Sequence, residues 1–131
     1  MDKSKVIKEE LTECELVVMK VIWDSEEELS IQEVTERVNG QYKKEWKIQT
    51  VSAFLGHIVQ KGYLSMERKG RRFFYRALVS EGIYRERVIS KSIEFWSGGR
   101  TDIYLASLLK QRTFSEEEKQ KIRSLIDELD W

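Results

Sequence analysis

The chain has 131 residues, enough for one or two small domains, and its 40% apolar and 11% aromatic content excludes an intrinsically disordered polymer. No apolar run approaches membrane-spanning length and the start MDKSKVIKEE carries no signal-peptide core, so a cytoplasmic protein with no membrane partner is expected. The single cysteine, Cys14, excludes an internal disulfide and fits a reducing compartment. The net charge of zero hides a strong asymmetry. Residues 1–40 carry five basic and eleven acidic side chains, residues 41–80 nine and two, and residues 81–131 nine and ten. A basic middle third inside a neutral chain is the electrostatic footprint of a DNA-contacting face.

The first helix opens at Thr12, which can cap with Glu15 as its capping-box partner, while Leu11 and Leu16 form the staple. From position 16 to 23 only Lys20 is polar, so this helix belongs at the domain centre, with Cys14 as a small core residue. The acidic stretch 24–28 then runs on the surface. A second helix repeats the signature with Ser30 and Glu33, sets Ile31, Val34 and Val38 on one face, and is expected to break at Asn39-Gly40.

A basic linker (Lys43, Lys44, Lys47) leads into a third helix that runs to Gln60 and stops at Lys61-Gly62. Val51, Phe54, Leu55 and Ile58 share its core face. The opposite face carries Gln49, Ser52, Ala53, Gly56 and Gln60, flanked by Thr50 and His57. A glycine inside a helix costs roughly 1 kcal/mol relative to alanine, but small residues there let the helix axis approach a groove floor. Gln49, Thr50 and Ser52 offer short donors and acceptors to base edges or phosphates. An ordinary solvent face would tolerate the same residues; the cationic neighbours favour the groove. Two β-rich runs, 63–67 and 72–78, follow, joined by the basic turn Arg68-Lys69-Gly70-Arg71. Helix, helix and hairpin with a cationic tip is a winged helix-turn-helix.

Beyond residue 79 the composition changes. Ser80 can cap a long helix with Ile89, Ile93 and Trp96 on one stripe, ended by Ser97-Gly98-Gly99. A further segment holds Ile103, Tyr104, Leu105, Leu108 and Leu109, and Ser115 with Glu118 caps a last helix lined by Ile122, Leu125, Ile126 and Leu129. About fifty residues in three helices make a poor independent core, so two copies are expected to pack here. The expected architecture is therefore mainly α with a small β-hairpin: a winged-helix DNA-binding domain over 1–79 and a helical dimerisation domain over 80–131.

His57 and Cys14 are each the only residue of their kind, no cluster has zinc spacing, and no glycine-rich phosphate loop is present. The Glu runs 26–28 and 116–118 are solvated surface. No catalytic residue, metal or cofactor is expected, and an enzyme is disfavoured.

Several residues, in order, resemble the penicillinase-repressor family of winged-helix regulators. They are Leu11-Thr12, Glu15-Leu16, Val18-Met19 and Ile22-Trp23, then Thr50-Val51, Phe54-Leu55, Ile58 and Lys61-Gly62-Tyr63-Leu64. The wing Gly70-Arg71-Arg72-Phe73 with Tyr75 and Leu78-Val79, and the downstream Gly98-Gly99, are similar too, and the resemblance spans residues 11–128. It implies a homodimeric repressor whose winged helices sit on a dyad operator of double-stranded DNA, often with TACA/TGTA half-sites. Gln49, Thr50, Ser52, Ala53 and His57 would be the recognition-helix contacts, with Lys69, Arg71 and Arg72 at the wing. The family often carries basic residues where this chain has Gln49, Ser52 and His57. A sensor protease cuts inducible members at an Asn-Phe pair, where this chain has Ala106-Ser107, and the C-terminal cysteine motif of copper-responsive members is absent. Two other readings remain open: a winged-helix protein-interaction module, and a one-component regulator with a small-molecule pocket near Trp46, Tyr84 or Trp96.

Overall fold

Three helix starts form the capping boxes written into the sequence. In this computed structural model, which describes residues 9–131, α1 (Glu13–Trp23), α2 (Ile31–Tyr42) and α6 (Glu116–Glu128) begin at Thr12, Ser30 and Ser115. Each hydroxyl accepts a backbone N–H from the glutamate three residues on, and that glutamate accepts the cap's own N–H. The expectation about the charged first eight residues lies outside the described residues.

On α1 the buried set is Glu15, Val18, Met19, Val21 and Ile22. Cys14, expected in the core, is exposed although helical spacing sets it within about 40° of Val18 and Val21; it stands in the first turn of α1, N-terminal to both. The second helix also differs from expectation: α2 runs through Asn39-Gly40 and closes at Lys43, whose φ of 53° is left-handed. Asn39 is an anchor there and not a breaker. Its Nδ2 donates to the Trp46 carbonyl at 3.0 Å and its Oδ1 accepts the Trp46 N–H at 3.1 Å, which fixes the path of the basic linker. Helix α3 (Ile48–Gln60) ends as expected, with Gly62 at φ 88° turning the chain into the hairpin.

The hairpin strands are β2 (Leu64–Lys69) and β3 (Arg72–Ala77), joined by Gly70-Arg71. Gly70 at φ 66° supplies the positive φ that a two-residue hairpin turn requires. A third strand, β1 (Leu29–Ser30), is absent from the sequence reading; it pairs antiparallel with β3 and gives the order β1-β3-β2.

The core of the first compact unit gathers Val18, Met19, Ile22, Leu29, Val34, Val38, Val51, Leu55, Ile58, Leu64 and the rings of Tyr63, Tyr75 and Tyr84. Tyr84 comes from α4 (Glu81–Ser97). Its ring lies 5.5 Å from Tyr63 and 5.6 Å from Trp23, and its hydroxyl accepts the Leu11 N–H at 3.0 Å. Trp23 Nε1 donates to the Val79 carbonyl, and Lys20 bonds Glu81 and Asp24, which push its ammonium pKa up to about 12. The first turn of α4 is thus bonded to α1 and the residues before it, and the first compact unit runs to Val88.

The second compact unit, Ile89–Trp131, contains the rest of α4, then α5 (Thr101–Leu109) and α6. Within it Tyr104 donates its hydroxyl to Ser92 at 3.0 Å. None of its residues is buried. Ile89, Leu105, Leu108, Leu125 and Leu129 are exposed, Phe95 and Trp96 are each 75% exposed, and Ile93, Tyr104, Ile122 and Ile126 are half-buried. Among the described residues no helix is long and apolar enough to cross a membrane, and no group of side chains has the makings of a metal site.

Candidate nucleic-acid interface

Helix α3 sorts its residues cleanly. Val51, Leu55 and Ile58 are fully buried, and Phe54 is half-buried against Trp46, ring centres 5.0 Å apart. Gln49, Thr50, Ser52, Ala53, Gly56, His57 and Gln60 are all exposed. Nothing lies within 4 Å of where a Cβ on Gly56 would stand, so the face is open at that point.

The N-terminus of α3 differs from those of α1, α2 and α6. Lys47 occupies the N-cap with no side-chain hydrogen bond to the first turn. The first amides of the helix therefore lack a side-chain acceptor, and the positive end of the helix dipole favours an anion there. Lys43, Lys44 and Lys47 are exposed around this end, and Lys44 Nζ sits 5.5 Å over the Trp46 ring. The Asn39–Trp46 bonds set the spacing of these cations, a role the sequence concealed because Asn-Gly reads as a turn.

At the other end of α3, His57 Nδ1 lies 3.8 Å from Glu15 Oε2, and Lys61 Nζ bonds Glu15 Oε1 at 2.6 Å. Glu15 is 3% exposed. Burial opposes its ionisation, but hydrogen bonds from Lys61 and Thr12 outweigh it and hold the carboxyl below its ordinary value. This buried carboxylate ties α1 to the C-terminal turn of α3 and so fixes how α3 presents its outer face.

The cations of the wing divide into two groups. Arg71 and Arg72 are exposed at the tip. Lys69 is exposed too, but it pairs with Glu28 and lies 5.7 Å over the Phe74 ring. Arg76, which sequence reasoning did not single out, is 3.8 Å from the same carboxylate. Arg68 donates to the Gly70 carbonyl within the turn. Lys43, Lys44 and Lys47 lie in the linker and N-cap that lead into α3, and Lys69 is engaged by Glu28 on the wing. Ala106 and Ser107 lie within α5, where Ser107 Oγ donates to the Ile103 carbonyl.

The sequence model of a family described as Penicillinase repressor matches residues 11–128. The chain belongs to the penicillinase repressor family. It is 30% identical over 117 residues to an uncharacterised 16.5 kDa protein of Latilactobacillus sakei, covering 89% of this chain and 78% of that one. With the penicillinase repressor of Bacillus licheniformis it shares 24% identity over 119 residues, 91% of each chain. Its fold is similar to the solution structure of the DNA-binding domain of the repressor BlaI, with a TM-score of 0.50 and 28% identity, covering 64% of this chain and 94% of that domain. Membership and this likeness place the chain among DNA-binding transcriptional repressors with a winged helix.

Proposed function

We propose that two copies of this chain bind a dyad operator, each laying α3 in a major groove. The observation that carries this is the open outer face of α3, small and polar from Gln49 to Gln60, beginning at an uncapped helix end amid three lysines. Gln49, Thr50, Ser52 and Ala53 meet base edges near the helix start, Gly56 allows close approach, and His57 reaches the flanking strand. Lys43, Lys44 and Lys47 contact phosphates on one side, and Arg71 and Arg72 contact them from the wing tip.

The second unit supplies the dimer. A helical unit with no buried residue leaves its apolar stripes in water, and an identical partner covers them. Joining two winged helices makes the second half-site contact effectively intramolecular, which is where most of the affinity arises. Repression in this reading is occupancy of the operator by the dimer.

Selection of bound duplexes from a random pool by the whole chain tests the reading. It should return an inverted repeat, and sedimentation should give a dimer that Leu108→Glu with Leu125→Glu converts to monomer with much weaker operator binding. A monomeric unaltered chain, or selected sites without two-fold symmetry, would refute it.

A further inference from the structure

The acidic loop and the wing meet through the short strand β1. Leu29 pairs with Tyr75 and Ser30 with Phe74. Facing residues of an antiparallel pair point to the same side of the sheet, and successive residues alternate. Leu29 and Tyr75 are buried on the inner side, so Glu28, one step before Leu29, is delivered to the outer side with Phe74 and Arg76. The β2–β3 register sets Lys69 opposite Arg72 on that same outer side. One carboxylate thus serves two cations: Glu28 pairs with Lys69 and lies 3.8 Å from Arg76.

A lysine already neutralised by a carboxylate binds a phosphate poorly. The contact releases little counterion charge, and the carboxylate left beside it repels the phosphate. We infer that Glu28 is a positioning residue of the wing, holding Lys69 and Arg76 on the sheet and away from the DNA backbone so that only the tip arginines engage it. This rests on the DNA-binding reading above. It makes the acidic loop an internal competitor that sets the strength of sequence-independent binding, with no part in reading bases. The net charge of the middle third therefore overstates its attraction for DNA.

The test is a salt titration of the whole chain on a random-sequence duplex, comparing the unaltered protein with Glu28→Gln and Glu27→Gln. Each cation released to a phosphate should steepen the plot of log affinity against log salt by about 0.9 and tighten binding roughly five-fold near 0.15 M salt. Glu28→Gln should show at least one such increment per protomer. Glu27→Gln removes the same charge from an exposed neighbour and should leave the slope nearly unchanged. Adding Lys69→Gln and Arg76→Gln to Glu28→Gln should abolish the gain. An unchanged or shallower slope in Glu28→Gln overturns the inference, as does an equal change in Glu27→Gln. If the unaltered chain shows no salt-dependent duplex binding, the DNA-binding reading itself fails and the inference falls with it.

Discussion

Gly56 separates folding from recognition in one position. It lies on the exposed face of α3, its φ is not positive, and a Cβ built there meets nothing within 4 Å. Alanine therefore fits without strain, and Gly56→Ala should stabilise the chain by about 0.8–1 kcal/mol through helix propensity alone. For a unit of this size that raises the melting temperature by roughly 4–8 °C, which calorimetry resolves. Leucine has nearly alanine's propensity and finds the same open space, so Gly56→Leu should also melt higher. Its effect on DNA is opposite. A helix with its side chains is about 10–12 Å across and the major groove about 12 Å wide, so an isobutyl group at the point of closest approach has no room. Operator affinity in Gly56→Leu should fall at least about ten-fold, or 1.4 kcal/mol, while sedimentation shows an intact dimer. Full operator affinity in a folded Gly56→Leu would refute the reasoning, and the contact surface would then centre on Lys47, Thr50 and His57. A lower melting temperature in Gly56→Ala would equally show that α3 is not as open as its neighbours make it.

Tyr84→Ala should cost about 3–5 kcal/mol in urea unfolding, because it empties a core site between Trp23 and Tyr63, whereas Tyr84→Phe should cost only about 1 kcal/mol for the bond from Leu11; loss of no more than 1 kcal/mol in Tyr84→Ala would show that its ring is not part of the first unit's core. Glu15 ionises below its ordinary value of 4.5 in the folded chain, so its contribution is complete above that pH and fades as pH falls through the lower folded-state value. Glu15→Gln should therefore lower stability near neutral pH by about 2 kcal/mol, and its difference from the unaltered chain should shrink in acid. A difference independent of pH would show that the Glu15–Lys61 bond carries no net charge stabilisation.

Much of this fold is written in short stretches of the sequence. The capping boxes at Thr12, Ser30 and Ser115 bind partners three residues away, the apolar spacing of Val51, Leu55 and Ile58 fixes the outer face of α3 by geometry alone, and Gly70 supplies the turn between β2 and β3. These are local, and the residues that decide them are neighbours. The exposed face proposed to meet DNA was legible for the same reason. What only the tertiary structure decided involves partners far apart in the chain. Leu11 meets Tyr84 across 73 residues and joins the first turn of α4 to the start of the chain; Glu28 meets Lys69 across 41 and gives a wing cation an acidic partner. Asn39 carries the signature of a turn, yet Trp46 satisfies its amide and α2 runs on. Strand β1 is two residues long, too short to show a period, and exists because β3 lies beside it. A sequence states which groups want partners. Only folding decides which distant group satisfies them, because the choice depends on what the packed core brings within hydrogen-bonding reach.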